Sequence, residues 1–137
     1  MRVIGFNFTK TSVEKLNEEA ADVKIKTSMD ILGVKEIKSS LLKTKEEILE
    51  VEFEYIVDYT PGFAKAEIKG RLLLSADPKI TKEILKQWKK KKMPPEVRAN
   101  IMNVILRKST LKALEMEDEL NLPLHIPMPS FRRGSEQ

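Results

Sequence analysis

The stretch ILEVEFEYIVDY, residues 48–59, constrains this chain more than any other. Leu49, Val51, Phe53, Tyr55, Val57 and Tyr59 alternate with Glu50, Glu52, Glu54 and Asp58. A period of two over that length is a strand with one face buried and the other wet. TPGF follows with the proline and glycine of a turn. AKAEIKGRLLLS then alternates again, with Ala64, Ala66, Ile68, Gly70, Leu72 and Leu74 as its inward set. A loop from Thr60 to Phe63 sets Tyr59 opposite Ala64. Counting back, Asp58 faces Lys65, Glu54 faces Lys69 and Glu52 faces Arg71. These opposite charges share the wet face while both apolar sets share the other. Each such pair contributes only about 0.2–1 kcal/mol, but a slip of one residue would turn both faces over. The pattern therefore predicts the register along with the hairpin. Glu52 and Glu54 read as solvated strand residues, not as catalytic or metal-binding carboxylates.

Two strands are expected before this hairpin. Residues 2–9 read as the first, with Val3 and the run Ile4, Phe6 and Phe8 apolar. Thr11 and Glu14 have the spacing of a capping box, which predicts a short helix over about 12–20 with Val13 and Leu16 on its apolar side. Val23, Ile25, Thr27, Met29 and Ile31 then alternate as a second strand, and Gly33 breaks the phase before Val34 and Ile37. A bulge or bend at Gly33 accounts for the break.

After Ser75 the period changes. Asp77 is a good N-cap and Pro78 a good first helical residue. Ile80, Ile84, Leu85 and Trp88 form one face of a helix over about 78–90. Pro94 and Pro95 stop it and start a second, tracked by Val97, Ile101, Val104, Ile105, Lys108, Leu111 and Leu114 to about residue 119. Its middle is apolar on nearly all sides, which hints at oligomerisation. Strands first and helices after predict an α+β fold, a four-stranded antiparallel sheet followed by two C-terminal helices. One domain over 1–131 and a short polar tail over 132–137 complete the layout.

The chain closes on NLPLHIPMPSF, residues 121–131, where Pro123, Pro127 and Pro129 forbid a helix. Disordered tails are usually polar, and this segment is apolar. It reads either as a strap that seals the core, or as one wall of a binding groove, or as a peptide motif for another protein.

Composition removes several classes of function. The chain has no cysteine, which excludes disulfides and thiolate metal sites. No run approaches the roughly 20 apolar residues of a membrane span. The N-terminal MRVIGFNFTK reads as a strand, not a signal peptide, so a cytoplasmic location is expected. Abundant lysine and glutamate with only two glutamines lean toward a thermophile. No glycine-rich phosphate loop occurs. The single histidine, His125, lies among prolines and reads as a packed or hydrogen-bonded residue, not a general base. An enzyme is not expected, nor is any cofactor or metal.

The element order and one local stretch resemble the export chaperone SecB. MPPEVRANIMNVILRKSTLKAL followed by NLPLHIPMPSF is similar to the long SecB helix, whose start carries a proline and an arginine, and to the proline-containing apolar stretch after it. The matching positions are Pro94 or Pro95 and Arg98, then Pro123 and Pro127 leading to Phe131. The resemblance implies a SecB-like fold and a cytoplasmic holdase that binds unfolded or exposed apolar polypeptide without nucleotide or metal, as a dimer or tetramer. It would place the polypeptide groove at Val13 and Leu16 in the crossover, and at Leu122, Leu124, Ile126, Met128 and Phe131 in the closing segment. Charge departs from the family, because SecB is acidic and this chain carries net charge +4. Docking on the translocation motor SecA and a role in export are therefore not expected.

Two other readings stand beside it. A nucleic-acid module would use Trp88 with Lys89, Lys90, Lys91 and Lys92 at the helix end, in a basic patch that starts at Lys86 and includes Arg98, Arg107 and Lys108, although cations at a helix end also suit its dipole. An adaptor for one folded protein partner would bind at fixed stoichiometry.

Overall fold

A computed structural model describes residues 1–19, 22–38 and 47–131. Four long strands come first: β1 (Arg2–Lys15), β2 (Lys24–Ile37), β3 (Glu47–Thr60) and β4 (Ala64–Ala76). Two helices follow, α1 (Pro78–Trp88) and α2 (Pro95–Glu119). The strands form one antiparallel sheet in the order β1-β4-β3-β2. This is the expected α+β layout. β1 and β2 follow each other in sequence but lie on opposite edges. Their connection passes the β3–β4 turn, where Leu16 and Asn17 both donate their amides to the Phe63 carbonyl, at 2.7 and 3.2 Å. Residues 132–137, expected as a tail, fall outside the described residues.

The hairpin has the register read from the sequence. Tyr59 faces Ala64, Asp58 faces Lys65, Glu54 faces Lys69 and Glu52 faces Arg71. Leu49, Val51, Phe53, Val57, Ile68, Leu72 and Leu74 are fully buried on the helix side. Each such side chain contributes roughly 1.5–3 kcal/mol when buried, so these two strands hold most of the core. Gly70 is where β4 is approached most closely. A Cβ there would lie 2.5 Å from the Phe53 ring and 2.6 Å from the Asn7 carbonyl oxygen. The missing side chain lets Phe53 lie across the strand and stack on Phe6, with ring centroids 5.2 Å apart.

The side-chain ion pairs on the outer face differ from those counted across the hairpin. Arg71 turns from Glu52 to Glu50, with Nε 3.7 Å from Oε1, and Lys35 reaches the same oxygen at 3.4 Å. Lys69 turns to Glu67 at 3.7 Å, and Lys10 of β1 reaches it at 3.1 Å. Glu50 is the buried carboxylate of the row, at 7% exposure. A charge taken out of water attracts a cation more strongly than a wet one does, and diagonal neighbours on a twisted sheet are within reach of long side chains.

The helix expected over about 12–20 does not form. β1 runs to Lys15 and pairs with β4 to the end, Thr11 with Ile68, Val13 with Ala66 and Lys15 with Ala64. The register shifts between Phe8 and Lys10, and that bulge moves the inward positions from Phe6 and Phe8 to Thr11 and Val13. The phase break looks like an element boundary in the sequence. A continuous ladder against a long neighbour outweighs one possible capping box. The break at Gly33, by contrast, is a register shift in β2 between Ile31 and Gly33, as its glycine suggests.

Both helices lie on the apolar face. α2 packs over β4, β3 and β1, and α1 over β3 and β2. Asp77 is extended at the N-cap of α1 but its side chain makes no cap hydrogen bond. α1 stops at Trp88, two residues short of the expected end. The buried row of α2 is Val97, Ile101, Ile105, Ser109, Ala113, Met116 and Glu117, so its second half departs from the expected face. Lys108 is exposed and Leu111 is 61% exposed. Steps of four residues keep one ridge on the sheet, and Ser109 and Ala113 are small enough to sit against it.

Candidate functional site

The site begins where α2 ends. Asn121 adopts φ +54°, in the left-handed region, which asparagine tolerates better than most residues. Its amide is donated to the Asp118 carbonyl at 3.1 Å, and the Leu122 amide to the Glu117 carbonyl at 2.9 Å. That is a Schellman cap, and it turns the chain back across the sheet. Leu122 then plugs the core at 5% exposure.

The next residues are pinned by polar groups of β3 and α2. Tyr59 donates its hydroxyl to the Pro123 carbonyl. Glu117 is fully buried and accepts the His125 backbone amide at 2.8 Å. The His125 ring sits astride the same carboxylate, with Nδ1 2.9 Å from Oε1 and 2.7 Å from Oε2. A carboxylate is matched by a donor, so Nδ1 carries a proton toward Glu117, and Nε2 lies 2.7 Å from the Tyr55 hydroxyl. Thr110 Oγ1 lies 3.1 Å from that hydroxyl on its other side. Burial pushes the phenols of Tyr55 and Tyr59 above their usual range, and the Glu117 charge adds to the shift in both. The Thr110 hydroxyl works against it at Tyr55.

A Glu–His–Tyr chain is a shape known from proton relays, but here the side chains of His125 and Glu117 are 2% and 0% exposed. No substrate reaches them. What the arrangement does chemically is fasten a backbone segment to the sheet. His125 is thus hydrogen-bonded, as its lone place among prolines suggests. Glu117 was not legible as its partner. The available signal was its place four residues after Ala113 in a buried row. Among the described residues no three His, Asp or Glu side chains gather around a point that would hold a metal ion.

Beyond His125 the strap leaves the core. Leu124 is half-buried, while Ile126, Met128 and Phe131 are 39%, 57% and 97% exposed. The strap is anchored on β3, and the strand beside β3 is the edge strand β2. Ile25 faces Tyr59, Thr27 faces Val57 and Met29 faces Tyr55, so these three look toward the core side of the sheet. Ile25 and Thr27 are nevertheless exposed and Met29 is half-buried. A strip of the inner face therefore stays open next to the strap.

The other residues singled out from the sequence lie elsewhere. Val13 is half-buried on β1 and Leu16 is 54% exposed just past its end. β1 is two strands from β3, about 10 Å across the sheet. The expected polypeptide-binding set thus falls into two patches, with Leu122 occupied in the core. Lys89, Lys90, Lys91 and Lys92 are all exposed in the turn after α1. Trp88 is half-buried, with the Lys91 ammonium 4.8 Å from its ring centroid.

No protein-family model matches the chain, and no curated protein does. A solved structure does match in fold. It is the Mycobacterium tuberculosis SecB-like chaperone Rv1957, in complex with a ChAD peptide from the Rv1956 HigA1 antitoxin. The match covers 98% of this chain and 92% of that one, with TM-score 0.53 and 11% sequence identity. The fold is SecB-like. The likeness at this identity is one of architecture, and the SecB-like frame leaves the chemistry of the site to this chain's own residues. Among the described residues no helix is long and apolar enough to cross a membrane.

Proposed function

We propose that this chain is a non-catalytic holdase that binds exposed apolar polypeptide in the cytoplasm, as a homo-oligomer. One observation carries the reading. The inner face of edge strand β2 stays open at Ile25 and Thr27 beside a strap whose outer half exposes Ile126, Met128 and Phe131. Apolar side chains that a sealed domain would bury face water along a track that an extended peptide fits. Three prolines keep the strap extended at low entropic cost, and methionine suits a surface that meets varied side chains. The SecB-like neighbour is itself a chaperone bound to a peptide, which supports the reading. Val13 and Leu16 offer a second apolar contact at the other edge. The exposed Leu106 and Leu111 of α2 are where a second copy would pack.

The test is aggregation of an unfolded protein, followed by light scattering with this chain present. Suppression near one-to-one, at low and at high salt, is expected of an apolar site, because apolar burial is little screened. Suppression that disappears as salt rises, or none at all, would remove the reading. Binding of a nucleic acid with steep salt dependence would put the lysine-rich turn in its place.

A further inference from the structure

A second site lies further along β2, and its reading rests on the polypeptide-binding function above. A pocket of about 310 Å³ is lined by Asp30, Ile31 and Leu32 of β2, Trp88 and Lys91 at the end of α1, and Arg98 in the first turn of α2. Three separate devices form it. The bulge between Ile31 and Gly33 leaves Leu32 41% exposed. Lys91 closes α1 in the left-handed region, at φ +58°, with Lys92 donating to the Gln87 carbonyl at 3.1 Å. Glycine is the usual residue there, and here a lysine takes the strain. Pro94 accepts the Arg98 amide at 2.9 Å and fixes the start of α2.

The pocket has one apolar wall and one cationic wall. Ile31, Leu32 and the half-buried Trp88 ring make the first. Lys91 and Arg98 make the second, and among the described residues neither lies within ion-pair distance of a carboxylate. Asp30 stands at the rim, one of its oxygens held by the Ile31 amide at 3.0 Å. Two unpaired cations against one carboxylate leave the pocket positive.

We infer that this pocket takes the carboxylate of an acidic residue on the bound polypeptide, with a neighbouring apolar side chain against Trp88 and Leu32. Thr27 and Leu32 are five residues apart on the same strand, about 17 Å at the rise of a strand. A polypeptide laid along the open strip therefore reaches the pocket about five residues further on. This site selects clients in which an apolar stretch is followed or preceded by an acidic residue. A single-stranded nucleic acid fits less well. The pocket offers a single aromatic ring, and a strand of stacked bases needs a succession of them.

The chain's single tryptophan is Trp88, so its fluorescence reports directly on the pocket. Three probes are titrated into the full chain: a short apolar peptide with one glutamate, the same peptide with glutamine, and a uridine oligonucleotide. The glutamate peptide is expected to bind about five- to tenfold tighter than the glutamine peptide at low salt. Arg98→Ala and Lys91→Gly should each shrink that ratio toward one, by weakening the glutamate peptide more than the glutamine peptide. Lys91→Gly keeps the left-handed turn, so loss of fold does not explain its result. Equal affinities for the two peptides in the unmodified chain overturn the acidic subsite and leave the holdase reading standing. Failure of both peptides overturns both readings. Tighter binding of the oligonucleotide, lost in Arg98→Ala, assigns the pocket to nucleic acid instead.

Discussion

The two halves of the closing strap are built from the same kinds of residue and behave in opposite ways. From Leu122 to His125 the chain is held by a buried side chain, two tyrosine hydroxyls and a buried carboxylate. From Ile126 to Phe131 it shows its apolar side chains to water. Proline content does not separate the halves, since Pro123 lies in the first and Pro127 and Pro129 in the second. What separates them is the polar anchor. A greasy segment without hydrogen-bonding partners rests on the surface, and one with partners becomes part of the fold. In functional terms the first half is scaffold and the second half is presented.

That contrast breaks most sharply at Glu117 and His125. His125→Ala leaves the Glu117 carboxylate buried with no imidazole to bond it, and a buried charged acceptor left unsatisfied costs about 3 kcal/mol or more. The expected result is a fall of that size in urea unfolding free energy. Glu117→Gln should cost less, about 1–3 kcal/mol, since the amide still fills the space. A loss below about 1 kcal/mol for His125→Ala would mean that the strap is not fastened by this chain of bonds. The division between halves would then have no physical basis.

A smaller effect comes from the tyrosines. Both phenols are held above their usual range by burial in the fold, and in the unfolded chain they return to about 10. A raised folded value favours the protonated form. The stability it brings is fully present below about pH 10 and is lost as pH rises from there toward the folded values. Urea midpoints measured from about pH 8 to about pH 11 should fall above pH ~10 for the unmodified chain. Tyr59→Phe is expected to be weaker by about 1 kcal/mol near neutrality, from the lost bond to Pro123, yet to fall less steeply at high pH. Parallel curves would show that Tyr59 is not held protonated by the fold.

The sequence made the central hairpin legible to the residue, because there two codes agree. Alternation sets which side chains turn inward, and charge sets which ones face each other. The edges were less legible. In β1 a bulge after Phe8 broke the alternation and imitated the end of a strand, and nothing local shows that β4 continues the ladder to Lys15. In α2 the apolar middle fits several faces, and only the sheet decides that Ser109 and Ala113 turn inward while Leu111 does not. The strap was legible as non-helical from its prolines and as apolar from the side chains between them. Its fastening was not, because Tyr55, Glu117 and His125 lie on three elements and meet only when the chain is folded. The pocket beyond the Gly33 bulge was hidden for the same reason. Trp88, its lysines and Arg98 were visible as a basic cluster, but Asp30, Ile31 and Leu32 come to them from β2.

The mildest substitutions sharpen the comparison from the other side. Met128→Ser and Phe131→Ser change side chains that are 57% and 97% exposed, and such surface changes alter stability within about 0.5 kcal/mol. If the outer half only decorates the fold, nothing else should change. If it is one wall of a polypeptide site, the double variant should melt like the unmodified chain and still hold back aggregation far less well. Thr27→Lys on the open face of β2 makes the same test from the facing side, since a lysine there fills the strip without touching the core. Loss of holdase activity in both, with unchanged melting, ties strap and strand into one site. Loss in only one assigns the binding surface to that side alone.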